Sequence, residues 1–320
     1  KYNIYIIIVF INFFSAQEKW NYSAKQMNQI KVNENTIWKL TENVKFVKKD
    51  QLILTDHAIQ NIEEDILYMN GNTVMINGID TLTCDSMIYW SKLDSGHAMG
   101  NVHYIQPRNN RYLETELFDY WKTEGYRGSS FIARGTTKII ESDRIITANN
   151  VIYNDKKQIM NLADNAFIRN AKRGISGDKI IIQYLDSLIE KIDIIDNAFS
   201  YNDLKIRVNK TDPYREFRDE MSSKKMVAYF KEDTIHQFQL INMARTYYHI
   251  INDSLLEGAN TVSGDSIQIN FANGEINRIQ VNGAALGEFN PEGTNSSVDT
   301  TIYYGADYID YHIRDKKTFL

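Results

Sequence analysis

Short stretches in which apolar and polar residues alternate make up most of the chain, and Asn, Gly and Asp separate them. In residues 100–105, for example, Val102 and Tyr104 flank His103. Because successive side chains of a strand point to opposite faces, this alternation is typical of half-buried β-strands joined by turns. Helical periodicity is nearly absent. The pattern therefore predicts an all-β protein.

A six-residue unit recurs along the chain. It begins with a small residue, often followed by Asp or Asn, and has an apolar residue at its fourth position and usually an aromatic or aliphatic residue at its sixth. Residues 84–89 are a clear copy. Copies start at residues 24, 55, 84, 115, 148, 177, 223, 264 and 306. The fourth position is apolar in every copy: Met27, Ala58, Met87, Phe118, Val151, Ile180, Met226, Ile267 and Ile309.

A second strand motif lies between these units, and it consists of Asn, then Val or Ala, then a further apolar residue. Copies are Asn43-Val44, Asn101-Val102, Asn165-Ala166 and Asn197-Ala198. Each repeat thus holds about two strands and two turns. This organisation predicts stacked rungs in an elongated, solenoid-like antiparallel array.

The parity of positions within the unit predicts which side chains face inward. The fourth and sixth residues share one face of a strand, so stacked rungs align them into one long apolar interior. The fifth position varies and includes Asp119 and Gln268, as an outward face would. The small first residue has the opposite parity, which predicts a corner or a bulge at that point.

The repeat becomes longer in the second part of the chain. Unit starts are 29–33 residues apart as far as residue 177 and 41–46 residues apart beyond it. We expect two sections of one architecture, residues 17–203 and 204–320, with a junction near 203–222. The last residues resemble the start of another strand, so we expect either that the array continues beyond this chain end or that this edge pairs with a partner. Seven cations near the junction suit a solvated linker, with a clamp for an anionic headgroup as the alternative: Lys205, Arg207, Lys210, Arg215, Arg218, Lys224 and Lys225.

The N-terminus has the pattern of an export signal. Lys1 precedes an apolar run over residues 4–14, and Ser15-Ala16-Gln17 follows. Such a run is too short to span a bilayer but suits the core of a signal peptide. We therefore predict a signal peptide over residues 1–16. Cys84 is the only cysteine, so an intramolecular disulfide is impossible.

Several of these motifs together resemble the OstA-like lipopolysaccharide-transport proteins. That family includes a periplasmic bridge protein and the N-terminal domain of the outer-membrane lipopolysaccharide-assembly protein. The resemblance lies in Gly100-Asn101-Val102 and in the strand over residues 306–311. It extends to the ordered segments 226–230, 246–248, 258–260 and 264–267, and it covers residues 24–311.

The resemblance implies a fold and a function. The expected fold is a V-shaped antiparallel β-jellyroll whose apolar groove binds the acyl chains of lipopolysaccharide (lipid A) and helps carry it across the periplasm to the outer membrane. Expected partners are other transport proteins of this β-jellyroll type, which pair through edge strands, and possible further copies of this chain. We expect a periplasmic protein, free or associated with the outer membrane. A soluble bridge and a fragment of a larger assembly protein both stay open.

The eleven residues that we expect to line the lipid groove come from both strand motifs. Most occupy the fourth and sixth unit positions, and the remaining ones follow the Asn residue of the second motif. Methionine at these positions suits an adaptable apolar surface. The predicted residues are Val44, Phe46, Met87, Tyr89, Val102, Tyr104, Phe118, Val151, Tyr153, Ile180 and Ile182.

The remaining chemistry argues against other classes of function. A net charge of -5 and a pI of about 5.8 do not suit nucleic-acid binding. Only His97 and His103 are close in sequence, and no carboxylate lies at a tight ligand spacing with them. No phosphate-binding or hydrolase motif occurs, so we expect no metal, no cofactor and no enzyme. Asp85, Asp178, Asp265 and Asp307 recur at the second unit position and fit a turn or strand-edge role. Two alternatives remain, a structural or adhesive solenoid with a filled core and a β-helix polysaccharide-degrading enzyme.

The apolar segment over residues 4–14 gives a prediction about localisation. Cells of a Gram-negative host that express the full gene are expected to hold the protein in the periplasmic fraction, with the signal peptide removed. Fractionation and N-terminal sequencing measure this. A cytosolic protein with an intact N-terminus would contradict the prediction.

Overall fold

The computed structural model describes residues 20–32, 35–122, 129–273, 275–292, 298–312 and 317–319. The predicted signal peptide lies outside them. These residues form nineteen β-strands and a 3-10 turn, Pro107–Asn109. The strands are β1 Asn21–Ser23, β2 Gln26–Val32, β3 Asn35–Lys48, β4 Gln51–Asn61, β5 Ile66–Asn77, β6 Asp80–Trp90, β7 Ser95–Gln106, β8 Arg111–Lys122, β9 Ser129–Glu141, β10 Arg144–Asn154, β11 Ile159–Arg169, β12 Arg173–Leu185, β13 Leu188–Ile206, β14 Arg215–Lys231, β15 Thr234–Asn252, β16 Leu255–Ala272, β17 Glu275–Pro291, β18 Ile302–His312 and β19 Lys317–Phe319.

The strands form one antiparallel sheet in which neighbours in sequence are neighbours in space. Each strand from β4 to β17 pairs with the strand before it and the strand after it. Both β1 and β2 pair with β3, and β19 pairs with the end of β18. The predicted all-β, antiparallel fold is confirmed. In the part of the chain that the structure describes, no helix is long and apolar enough to cross a membrane.

Every long strand bends near its middle. In the ladder between β5 and β6 the register shifts between Asn70 and Thr73, and the corresponding shift recurs in the ladders that follow. At these points the odd-numbered strands adopt positive φ, as at Gly71 (84°) and Asn72 (45°). Such bulges bend a strand sharply. The sheet therefore folds over along a line of bulges, which we call the corner.

The corner divides the sheet into two facing layers. From β4 onward, each even-numbered strand begins in the back half-sheet and ends in the front half-sheet. Each odd-numbered strand begins in the front half-sheet and ends in the back half-sheet. Tyr120 of the front layer and Met75 of the back layer are in contact, with 2.9 Å between hydroxyl oxygen and sulfur. We call the side opposite the corner, where the strand ends of the two layers meet, the mouth.

The corner explains the parity of the repeated unit. Cys84 and Met87, the first and fourth residues of one copy, are both buried although three positions separate them. Asp85, which lies between them in the bulge, is exposed. The small first residue therefore marks a corner and a bulge at once, and it is small because it packs inside the fold.

The recurrent acidic residue has a structural role at this corner. Asp85 accepts a hydrogen bond from the Asn101 side chain at 2.9 Å, and Asp56 accepts one from Asn72 at 2.8 Å. A Cβ added to Gly100 would lie 2.4 Å from the Asp85 carboxylate. The carboxylate thus lies directly over the facing backbone, which accounts for both the recurrent Asp and the Gly-Asn pair.

The sheet divides locally between β14 and β15. Pairing of β14 with β15 ends at Glu220 and Tyr247, whereas β13 and β14 stay paired as far as Ile206. A small separate apolar cluster packs at this division, and the Leu256 amide donates a hydrogen bond to the Arg207 carbonyl at 2.8 Å. The front half-sheet continues without interruption. The two predicted sections therefore share one sheet.

The geometry at Gly100 predicts the effect of a single added methyl group. Gly100→Ala places a Cβ against Asp85 at a φ of 73°, so we expect a loss of about 1–3 kcal/mol of unfolding free energy. Gly305→Ala is the matched control, because its added Cβ would approach no atom closer than 3.1 Å. Urea unfolding followed by tryptophan fluorescence measures both. If both substitutions lower the free energy of unfolding equally, the Asp85 carboxylate and the positive φ do not constrain residue 100.

Candidate functional site

The fourth residues of the units form a single row inside the front half-sheet. The register joins Met87 to Ala98, Ala98 to Phe118 and Phe118 to Ala133 as direct cross-strand partners. The same row continues from β2 to β18. Its members are Met27, Leu40, Ala58, Met69, Met87, Ala98, Phe118, Ala133, Val151, Leu162, Ile180, Ile194, Met226, Leu240, Ile267, Val281 and Ile309. All except Met27, on the edge strand, are buried.

The structure places all eleven predicted groove residues inside the folded sheet, with exposures between 0% and 5%. They belong to one apolar cluster. Seven lie in the front half-sheet: Met87, Tyr89, Phe118, Val151, Tyr153, Ile180 and Ile182. Four lie in the back half-sheet: Val44, Phe46, Val102 and Tyr104. The fold thus brings both predicted strand motifs together on opposite walls of one interior.

Aromatic side chains fill much of this interior. The ring centroids of Tyr104 and Phe118 lie 5.0 Å apart, those of Phe118 and Phe131 5.2 Å, and those of Phe131 and Tyr153 5.3 Å. These distances are those of packed aromatic pairs. The two layers are therefore in contact through their own side chains, and a ligand would have to separate them.

Three residues at the fifth unit position mark the outer face. Ile88, Asp119 and Ile152 share one outward row, and Ile152 is 40% exposed. Asp119 is hydrogen-bonded to the His97 ring and forms an ion pair with Arg134, and these two partners lie on the neighbouring strands. The fifth unit positions, which parity predicts to point outward, therefore lie on the outer face of the folded sheet.

A row of polar side chains at the mouth was not predicted as a site. Four of its members lie four residues before the unit starts at 55, 84, 115 and 148, and the other three are their partners on neighbouring strands. We call it the polar rim: Gln51, Asn77, Asp80, Gln106, Arg111, Glu141 and Arg144. A periodic search for polar as well as apolar positions would have found it.

Rim residues are hydrogen-bonded to the interior tyrosines and to the opposite layer. The Tyr104 hydroxyl donates to Asp80 at 2.9 Å, and burial raises the pKa of that carboxyl. Lys122, at the mouth of the front half-sheet, donates to Asn77 at 2.8 Å. Arg144 pairs with Asp233 across the mouth at 3.1 Å. The rim therefore ties the two layers together along the first section.

Arg111 and Glu141 form an ion pair at the centre of the rim, with side chains only 1% and 5% exposed. Arg111 Nε and Nη2 donate to Glu141 Oε1 at 3.1 and 2.8 Å, and Arg111 Nη1 donates to Gln106 at 3.1 Å. The hydroxyl of Tyr184, from the front half-sheet, donates to Glu141 Oε2 at 2.9 Å. Arg111 also lies 4.4 Å from the ring centroid of Tyr153. We call these five residues the Arg111 cluster.

Burial and neighbouring charges shift the pKa values of Arg111 and Tyr184 in this cluster. Burial, the largest single effect, lowers the pKa of Arg111, but Glu141, Tyr184 and Tyr153 together outweigh it, so the pKa is raised. Burial, together with the Glu141 charge, raises the pKa of Tyr184 well above its ordinary value. Arg111 is therefore a cation, and the Tyr184 hydroxyl stays protonated as a donor.

The local surroundings of the cysteine and of two histidines account for these side chains. Burial raises the pKa of the Cys84 thiol to about 12, which makes it a poor nucleophile. His97 and His103 lie on either side of the β7 bulge and have separate partners, Asp119 and Tyr112. The described residues hold no group of three metal-ligating side chains.

Three of the seven cations near the junction have carboxylate partners. Arg218 binds Asp203 at 2.7 Å, and Lys205 lies 3.2 Å from Glu216. Lys225 lies 3.4 Å from Asp193. Residues 215–225 belong to β14 rather than to a linker, so that part of the linker interpretation is wrong.

Comparisons with known proteins find similarity to solved structures. No family model matches the chain, and no curated protein matches it. Among the matching solved structures is the crystal structure of LptH, the LptA homologous periplasmic component of the conserved lipopolysaccharide transport device from Pseudomonas aeruginosa. The sequences are 12% identical, the match covers 51% of this chain and 93% of that chain, and the TM-score is 0.31.

Proposed function

We propose that the interior of the folded sheet binds the acyl chains of lipopolysaccharide and that the protein helps carry this lipid across the periplasm to the outer membrane. The observation that carries the proposal is the continuous apolar row from β2 to β18. The motifs shared with the OstA-like transport proteins point to the same function. LptH, a periplasmic component of a lipopolysaccharide transport device by its title, is the structural likeness reported above.

The row suits transport because successive rungs are chemically equivalent. Each buried methylene contributes about 0.8 kcal/mol, so several acyl chains gain much from such an interior. Neighbouring rungs present residues of similar type, such as Val151 and Ile180, so a chain loses little when it moves from one rung to the next. A single deep pocket would hold the lipid in one place instead.

Binding requires the two layers to separate, since aromatic and aliphatic side chains now fill the space between them. Each displaced contact between side chains is replaced by a contact with an acyl chain, so the net change in apolar burial is small. Met69, Met75 and Met87 line the interior, and methionine repacks readily around a new neighbour. The bulges at the corner are the points about which the layers can turn.

The sheet edges support partners that add further strands. Among the described residues β2 pairs only with β3, and residues 302–309 of β18 pair only with β17. Such edges present unpaired backbone groups that another strand can complete. The partners that we propose are β-jellyroll proteins of the same transport type or a second copy of this chain.

A structural solenoid is the second candidate, and the packed interior favours it. In that function the aromatic contacts between Tyr104, Phe118 and Phe131 would be permanent, and no lipid would enter. The two candidates differ in whether the layers open, which makes them separable by experiment.

Photo-crosslinking from inside and outside positions tests lipid binding. A photoreactive amino acid at Val102, Phe118 or Val151 is expected to capture lipopolysaccharide, because these side chains face the interior. Matched positions on the outer face, Ile88 and Ile152, are expected to capture little. Immunoblotting against lipopolysaccharide measures the products. Equal capture from both sets, or none from the interior set, would favour the structural solenoid.

Crosslinking at the terminal strands tests the proposed assembly. Photoreactive residues at Ser23 in β1, Gln29 in β2 and Tyr303 in β18 are expected to give covalent dimers and larger oligomers, because these edges can accept another strand. Ile152, in the middle of the sheet, is the control position. Gel electrophoresis of the irradiated protein measures the outcome. Oligomers that form only from Ile152 would contradict edge-to-edge pairing.

A further inference from the structure

The Arg111 cluster is unusual in an interior that is otherwise mostly apolar. A buried ion pair adds little to stability, since apolar residues of similar volume usually serve at least as well. Arg111 and Glu141 are direct cross-strand partners, almost fully buried, beside the mouth of the sheet. Stability alone therefore does not explain why a cation and an anion occupy this position.

The geometry around Arg111 is that of a site for an oxyanion. Two guanidinium nitrogens, Nε and Nη2, converge on one oxygen of Glu141, and the Tyr184 hydroxyl donates to the other. Charge-assisted contacts of this kind are the strongest hydrogen bonds that arginine makes with carboxylates and phosphates. A phosphate group offers the same type of acceptor oxygens in the same place.

The location also matches the polarity of an amphiphile. If the acyl chains of an amphiphile lie in the interior, its charged group lies near the mouth. There the interior meets water and the polar rim begins. Arg111 is the rim cation with the most enclosed side chain, 1% exposed against 16% for Arg144. Its position over Tyr153, at 4.4 Å, would hold the guanidinium in place after Glu141 moved away.

We propose that Arg111 binds the phosphate group of an amphiphile whose acyl chains occupy the interior, and that Glu141 takes the place of this phosphate in the ligand-free protein. The proposal rests on the proposed function. Displacement of Glu141 also releases the hydrogen bond from Tyr184, which joins the two layers at the mouth. Binding of the anionic group and opening of the mouth are therefore one event.

Two short lipids with identical acyl chains test this assignment. Dioctanoyl phosphatidic acid carries a phosphate monoester, and dioctanoylglycerol does not. The measured quantity is the ratio of their dissociation constants for the full chain, below the critical micelle concentration. We expect the wild-type protein to prefer phosphatidic acid, and Glu141→Gln to increase that preference by at least about ten-fold, because the internal competitor is lost.

Glu141→Gln leaves Arg111 buried without a counter-charge, and this variant could fail to fold for that reason. A paired substitution keeps the test decisive in that case. Arg111→Met combined with Glu141→Met removes both charges and leaves apolar side chains of similar length. This variant is expected to fold and to bind dioctanoylglycerol like the wild type, with its preference for phosphatidic acid lost. Arg144→Met is the matched control at the same rim and is expected to keep the preference.

The outcomes separate this assignment from the broader function. If both lipids bind but the paired variant keeps the preference for phosphatidic acid, Arg111 is not the phosphate residue and the acyl-binding proposal stands. If neither lipid binds and the interior positions capture no lipopolysaccharide, the acyl-binding function fails and this assignment fails with it. Loss of preference in the paired variant alone, at unchanged affinity for dioctanoylglycerol, supports the assignment.

Discussion

The bend at the middle of every long strand is the constraint on which the rest of the structure depends. A flat meander of this length would expose one apolar face to water. At each rung a bulge turns the chain, and a carboxylate such as Asp85 lies over a backbone with positive φ at Gly100 and is bonded to Asn101. Because these bulges align from strand to strand, the sheet folds along one line and buries its apolar face against itself.

Folding along one line creates an interior with two different walls. The front half-sheet contributes the fourth and sixth unit positions, and the back half-sheet contributes the small corner residues and a further apolar row. The walls meet through aromatic pairs such as Tyr104 and Phe118. Such an interior is stable when closed, yet its rungs are alike, so it offers no single deep pocket. This combination suits a ligand that moves along the array after the layers separate.

The mouth of the first section is polar where the interior is apolar. Asp80, Arg111, Glu141 and Arg144 point inward at the ends of the strands and bond to tyrosines or to the opposite layer. Hydrogen bonds and an ion pair join the two layers at the mouth. Under the proposed function, they are also the contacts that break before a lipid enters.

The sequence by itself determined the fold class, the repeat and the inward side chains. Alternation with period two and the apolar fourth position suffice for this, because strand geometry makes parity a local property. The opposite parity of the small first residue, as at Cys84, even marked the corner. Only the tertiary structure decided that the walls touch and fill the interior, and that Arg111, Glu141 and Tyr184 meet at the mouth. The bond from Tyr184 to Glu141 joins residues 43 positions apart, and the pair of Arg144 with Asp233 joins residues 89 positions apart. No local pattern specifies the distance between the layers.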